Sequence, residues 1–150
     1  MRVRNVVVPD EGNVRLWGLR TMVSVQTDER ASAILARRAK GLLAHDEAFA
    51  ELADADCAAA IVATIAERLC IRADLVQRAV DTDDDKPVSV MCRAAGFNTD
   101  SYSALLRMRR RHSRGIGSAP ALALTFFSAL SRLSAERMLP RVAADLGRKG

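Results

Sequence analysis

The sequence predicts an all-α fold built from stacked helical hairpins, HEAT-like or α-solenoid-like. Three observations predict it. Apolar residues recur at three- and four-residue steps from Asp28 to the end of the chain. Alanine dominates an apolar fraction of 49%, whereas aromatic residues are limited to one Trp, one Tyr and four Phe. Such a small-residue core suits close-packed helices better than a β-sandwich. Helix-stop residues also punctuate the periodic segments: Gly41 weakens the end of one, Gly96 follows another, and Pro87 lies just inside the start of one. The 150 residues suit one domain that can bury its own core without disulfides or metals.

Residues 1–27 stand apart as an N-terminal arm. Val3, Val6 to Val8, Val14 and Leu16 are β-prone, and Asp10-Glu11-Gly12-Asn13 between them reads as a turn. The segment is a short hairpin or, because two strands alone are marginal, a loosely held arm. Residues 28–150 are read as a single helical domain.

The first helix is expected over residues 28–44, with Thr27 as N-cap and Asp28 and Glu29 in its first turn. A short helix follows over Asp46 to Leu52. The third begins after Asp54 or Asp56 and places Ala58, Ile61, Val62, Ile65 and Leu69 on one face. The fourth covers Ala73 to Val80 and stops at the acidic run Asp81 to Asp85. The fifth carries Asp85 as its cap, Pro87 near its start and Gly96 just past its end at Ala95. Thr99 caps the sixth, which runs to Arg111. Ser118 caps the seventh, whose expected face is Leu122, Phe126, Phe127, Leu130 and Leu133. Pro140 is expected to break or kink the last, Ala135 to Leu146.

An internal repeat is read at an offset of 26 residues. Val62, Ile65, Ala66, Leu69 and Ile71 fall opposite Val88, Met91, Cys92, Ala95 and Phe97, and Asp74 falls opposite Asp100. Each copy is a helix, a short turn and a helix, the unit of a stacked array. Any two amphipathic hairpins align in a similar way.

Several function classes lack their signatures. No Gly-rich phosphate loop, H-E-x-x-H, G-x-S-x-G or paired-cysteine pattern occurs. Cys57, Cys70 and Cys92 are widely spaced and read as buried free thiols of a reducing cytosol. Asp81, Asp83 and Asp85 alternate as at the start of a calcium loop, but Lys86 and Cys92 replace the Gly and Glu such a loop needs. The run reads as an exposed acidic loop. No catalytic, cofactor or metal residue is therefore assigned. No secretory signal is read in Met1 to Pro9. The longest uncharged stretch, Gly115 to Ser131, is too short and polar to span a membrane.

Charge is unevenly distributed. Residues 28–85 carry seven basic and thirteen acidic groups, and residues 86–150 carry twelve basic and three acidic groups. The densest cluster is Arg107, Arg109, Arg110, Arg111 and Arg114, after a helix–turn–helix-like stretch from Val88 to Leu106. In a nucleic-acid-binding reading these arginines neutralise phosphates. As a helix end, they are cations placed favourably at its negative pole. A peripheral membrane contact is weaker, because the adjoining Phe-bearing helix serves better as core.

Two segments carry a resemblance. V-S-V-M-C-R-A-A-G-F-N-T-D-S-Y-S-A-L-L-R-M-R, Val88 to Arg109, resembles the characteristic segment of the bacterial domain of unknown function 2336 family. S-A-L-S-R-L-S-A-E-R-M-L, Ser128 to Leu139, is similar to its closing part. The resemblance rests on Cys92 to Gly96 and on Ala135-Glu136-Arg137. It implies an all-helical, HEAT-like, cytoplasmic bacterial protein with no established activity, so no functional residue carries over. The chain departs from the family in its β-prone arm and in Pro140. The function expected is a non-enzymatic adaptor or regulatory module that binds an unknown protein partner or a second copy of itself. Nucleic-acid binding through the arginine cluster is the alternative.

Overall fold

A computed structural model describes residues 28–112 and 120–148, and the chain is all-helical there, with no strand among the described residues. The N-terminal arm, the proposed caps Thr27 and Ser118, and Arg114 lie outside the described residues. The elements are α1 (residues 28–39), α2 (His45–Asp54), α3 (Ala58–Leu69), α4 (Ala73–Asp81), α5 (Lys86–Ala94), α6 (Thr99–Arg111), α7 (Pro120–Ala129) and α8 (Arg132–Arg148). Among the described residues no helix is long and apolar enough to cross a membrane.

Helix ends follow one local device. Gly41 at φ +79° ends α1: its N–H bonds to Arg38 O and the Leu42 N–H to Arg37 O. Gly96 at φ +86° ends α5 in the same way, through Arg93 O and Cys92 O. This is the paired bonding that a left-handed residue makes possible just past a helix. Cys70 (φ 55°) and Asp56 (φ 59°) adopt the same geometry without glycine's freedom. Cys70 and Gly96 are 26 residues apart, so the two members of the sequence repeat turn their corners identically.

α5 is the central helix. Val88, Ser89, Val90, Met91 and Cys92 are all buried in succession, so this middle stretch has no solvent face. It packs against α3, α4, α7 and α8. Ala94 and Ala135 let α5 and α8 approach closely, and Val90 completes that contact. α2 lies along α6 in the same direction. Asp46 Oδ1 accepts from Asn98 N at 2.8 Å and from Ser101 Oγ at 2.8 Å, and Asp54 meets Arg107 farther along. Phe49 of α2 stacks on Phe97 at 4.1 Å. Tyr102 of α6 stacks on Phe127 of α7 at 4.3 Å.

Several elements differ from their sequence reading. α1 ends at residue 39 rather than 44, because Gly41 takes the left-handed turn. The cap of α6 is Asn98, whose Oδ1 accepts from Ser101 N at 2.9 Å, and Thr99 is the first helical residue. α8 begins at Arg132, with Ser131 Oγ accepting from Ser134 N at 3.0 Å. Leu133 therefore belongs to α8, and it is 57% exposed. The buried face of α7 is Ala123 and Phe127, whereas Leu122 is 69% exposed. Pro140 does not interrupt α8, which continues to Arg148. Pro140 and Glu136, four residues before it, are both exposed, so water can satisfy the freed carbonyl.

Arg109 departs furthest from expectation. It is 1% exposed, and its guanidinium bonds to Asp85, to Val80 O at 3.0 Å and to Thr82 O. One α6 side chain therefore closes the end of α4 and pins the α4–α5 connection. Asp85 is itself buried, so the acidic run is not uniformly an exposed loop.

Removing Arg109 leaves the Asp85 charge buried and uncompensated. Arg109→Ala is expected to lower unfolding free energy by about 3–5 kcal/mol in urea denaturation. Cys70→Gly should raise it by roughly 0.5–1 kcal/mol, because it relieves a left-handed non-glycine residue. An unchanged urea midpoint for Cys70→Gly would show that this corner is not strained.

Candidate functional site

The basic residues singled out in the sequence are where a site was expected, and the fold treats each differently. Arg109 is enclosed. Arg107 pairs with Asp54 at 3.2 Å. Arg111 pairs with Asp56 at 2.9 Å and donates to Ala53 O at 2.7 Å. Arg110 is also partnered, and Arg114 lies outside the described residues. The segment thus docks the end of α6 onto the end of α2.

A wider pattern includes these contacts. Five arginines donate to carbonyls at the C-terminal end of another helix. Arg68 reaches Ala95 O at 2.9 Å and Arg78 reaches Leu146 O at 2.9 Å. Arg93 reaches Phe127 O at 3.0 Å while its guanidinium lies 4.3 Å from the Phe127 ring centre. Arg109 and Arg111 serve α4 and α2. Each contact sets a cation at the negative pole of a helix; Ala53 O and Phe127 O also accept a backbone N–H, from Asp56 and Leu130.

Asp85, Ser89, Tyr102 and Arg109 form a small buried polar network. Ser89 Oγ donates to Asp85 O at 2.8 Å and also bonds to the Tyr102 hydroxyl. Burial pushes the Tyr102 phenol up, against the opposing pull of its Ser89 bond. Burial likewise pushes the Cys92 thiol up, with the nearby Arg109 charge acting the other way. Cys57 is also buried, but Cys70 is exposed, which corrects the expectation of three buried thiols. Among the described residues no group of three or more His, Cys, Asp or Glu is placed to hold a metal.

A groove of about 510 Å³ lies between α5 and α8. Its floor is apolar: Pro87 and Val90 from α5, and Met138, Val142 and Leu146 from α8. Lys86, Arg137 and Arg141 stand on its rim, with Asp84 and Asp145. Met138 is 39% exposed. Volume and lining fall in the range of ligand-binding clefts. Sequence reasoning missed this groove. Its signal was present in α8, where the i,i+4 pair Met138 and Val142 runs beside the i,i+4 pair Arg137 and Arg141.

Compared with known proteins, the chain matches no family model, no curated protein and no solved structure.

The neutral buried groups set a pH dependence. The folded pKa values of Cys92 and Tyr102 are both raised, so their stabilising contribution is present below their unfolded-state pKa values and is lost as pH rises. Urea midpoints should be level between about pH 7 and 8 and fall from about pH 9 upward. Tyr102→Phe should make that fall shallower. A midpoint independent of pH up to about 10.5 would contradict the assignment.

Proposed function

We propose that this chain is a non-enzymatic adaptor or regulatory module that binds another protein in the groove between α5 and α8. The observation that carries the reading is the groove's composition. An apolar floor ringed by charges matches a protein-docking patch, with a dry centre and a polar rim. Charge on the rim steers encounter and selects partners. The resemblance to the domain of unknown function 2336 family belongs to this proposal, with the stacked-hairpin arrangement and cytoplasmic bacterial setting it implies. The identical corners at Cys70 and Gly96 support two related hairpins, α3–α4 and α5–α6. The direct seating of α2 on α6 would make any such stack a closed one.

The nucleic-acid alternative is less favoured by the geometry. Arg109 faces inward and Arg107 and Arg111 are already held by carboxylates. A phosphate would have to displace those partners.

Affinity capture from source-organism extract, with and without nuclease, tests the proposal. Wild-type protein and Leu122→Glu should retain a stoichiometric protein partner after nuclease. Met138→Glu, folded by circular dichroism, should retain about tenfold less, because it places a charge on the apolar floor. Capture that disappears with nuclease would move the function to nucleic acid.

A further inference from the structure

Ion pairing in the basic half of the chain leaves a residue-level remainder. Arg93, Arg109 and Arg111 hold helix-end carbonyls. Arg107 is paired with Asp54, Arg132 with Glu136, and Arg148 with Asp145. Arg110 has a partner as well. Among the described residues from 86 onward, three cationic side chains lack a hydrogen bond or ion pair: Lys86, Arg137 and Arg141. All three line the same groove. Its two carboxylates are already engaged: Asp145 by Arg148, and Asp84 Oδ1 by the Lys86 backbone N–H at 3.0 Å.

We infer that the α5/α8 groove takes an acidic amphipathic helix from a partner protein. The helix seats an apolar stripe on Pro87, Met138 and Val142 and presents flanking carboxylates to Lys86, Arg137 and Arg141. The inference rests on reading the groove as a docking site and names the chemistry of its occupant. Charge complementarity carries it. Arg137 and Arg141 are one turn apart on α8 and both exposed, so they present two guanidinium forks in register with carboxylates one turn apart on a facing helix. The apolar floor requires more than an anion. A third helix laid between two others, with anchors at i, i+3, i+4 and i+7, meets both requirements. Met138 gives the floor an unbranched, adaptable side chain suited to such anchors.

Synthetic helical peptides of about four turns provide the test, with Leu at the anchor positions and Glu, Gln or Lys at all others. Their binding to the full chain is read by fluorescence anisotropy. The Glu peptide should bind at one-to-one stoichiometry, the Gln peptide about tenfold more weakly, and the Lys peptide not measurably. Raising salt from about 50 to 500 mM should weaken the Glu peptide several-fold. The double variant Arg137→Glu with Arg141→Glu should lose the Glu peptide and gain the Lys peptide, a swap that misfolding cannot produce. Equal binding of Glu and Gln peptides would overturn the acidic occupant and leave the docking reading standing. Failure of every peptide, while Met138→Glu still loses its captured protein, would overturn the helical occupant alone. Failure of both tests would remove the docking reading itself. Binding to phosphatidylglycerol vesicles in place of the peptides would assign the groove to a lipid surface. A concentration-dependent dimer in light scattering, abolished by Met138→Glu, would assign it to a second copy of the chain.

Discussion

The Arg109 guanidinium sits where α4 ends, α5 begins and α6 passes over both. Its three acceptors, Asp85, Val80 O and Thr82 O, come from the four-residue connection between α4 and α5 and from the last turn of α4. Placing an arginine there costs desolvation, and only several simultaneous charge-assisted bonds can offset it. The location makes the arrangement consequential. Val88 to Cys92 of α5 are buried in succession and α5 packs against α3, α4, α7 and α8, so fixing its first turn fixes where those contacts are made. Asp85 occupies the N-cap position of α5 yet makes no side-chain capping bond, because its carboxylate is turned toward Arg109. A local capping bond is exchanged for a long-range one that ties α6 to the centre.

The same logic extends across the molecule. Helical bundles with short connections leave many C-terminal carbonyls near other helices, where water is excluded. Arginine suits this position, with a long apolar stem, five donors and a charge of the favourable sign for a helix end. The chain uses Arg68, Arg78, Arg93, Arg109 and Arg111 this way. Five of the chain's 23 basic residues are thus used in its internal architecture.

How much could be read beforehand follows from the range of each interaction. Periodicity, Gly96 and Pro87 are local signals, and they located helices α3 to α6 closely. Gly41 was recognised as weakening α1, but the choice between a helix ending there or running to residue 44 depends on what the following turn packs against. Asn98 and Thr99 are both competent caps, and the Asp46 carboxylate that accepts the Asn98 N–H comes from another helix. Arg109 looked like its neighbours Arg110 and Arg111 because a tract of arginines carries no mark of which member faces inward. That depends on Asp85, 24 residues earlier. The groove escaped notice for a related reason: its two walls lie more than 40 residues apart in the chain, and neither wall is a motif by itself.

The parallel seating of α2 on α6 has a consequence for the order of events during synthesis. Asp46 and Phe49 find their partners in Asn98, Ser101 and Phe97, about fifty residues later. A nascent chain that has extruded α2 through α5 can pack α2 on α3 but still lacks the Phe97 ring that stacks on Phe49. Closure waits for α6, the element whose Arg109 also locks the centre. High sequence separation of this kind slows folding relative to bundles whose neighbours are consecutive. It also lengthens the interval in which an apolar helix is open to chaperones or to other unfinished chains. One helix, the sixth, thus converts a string of short helices into a cooperative unit.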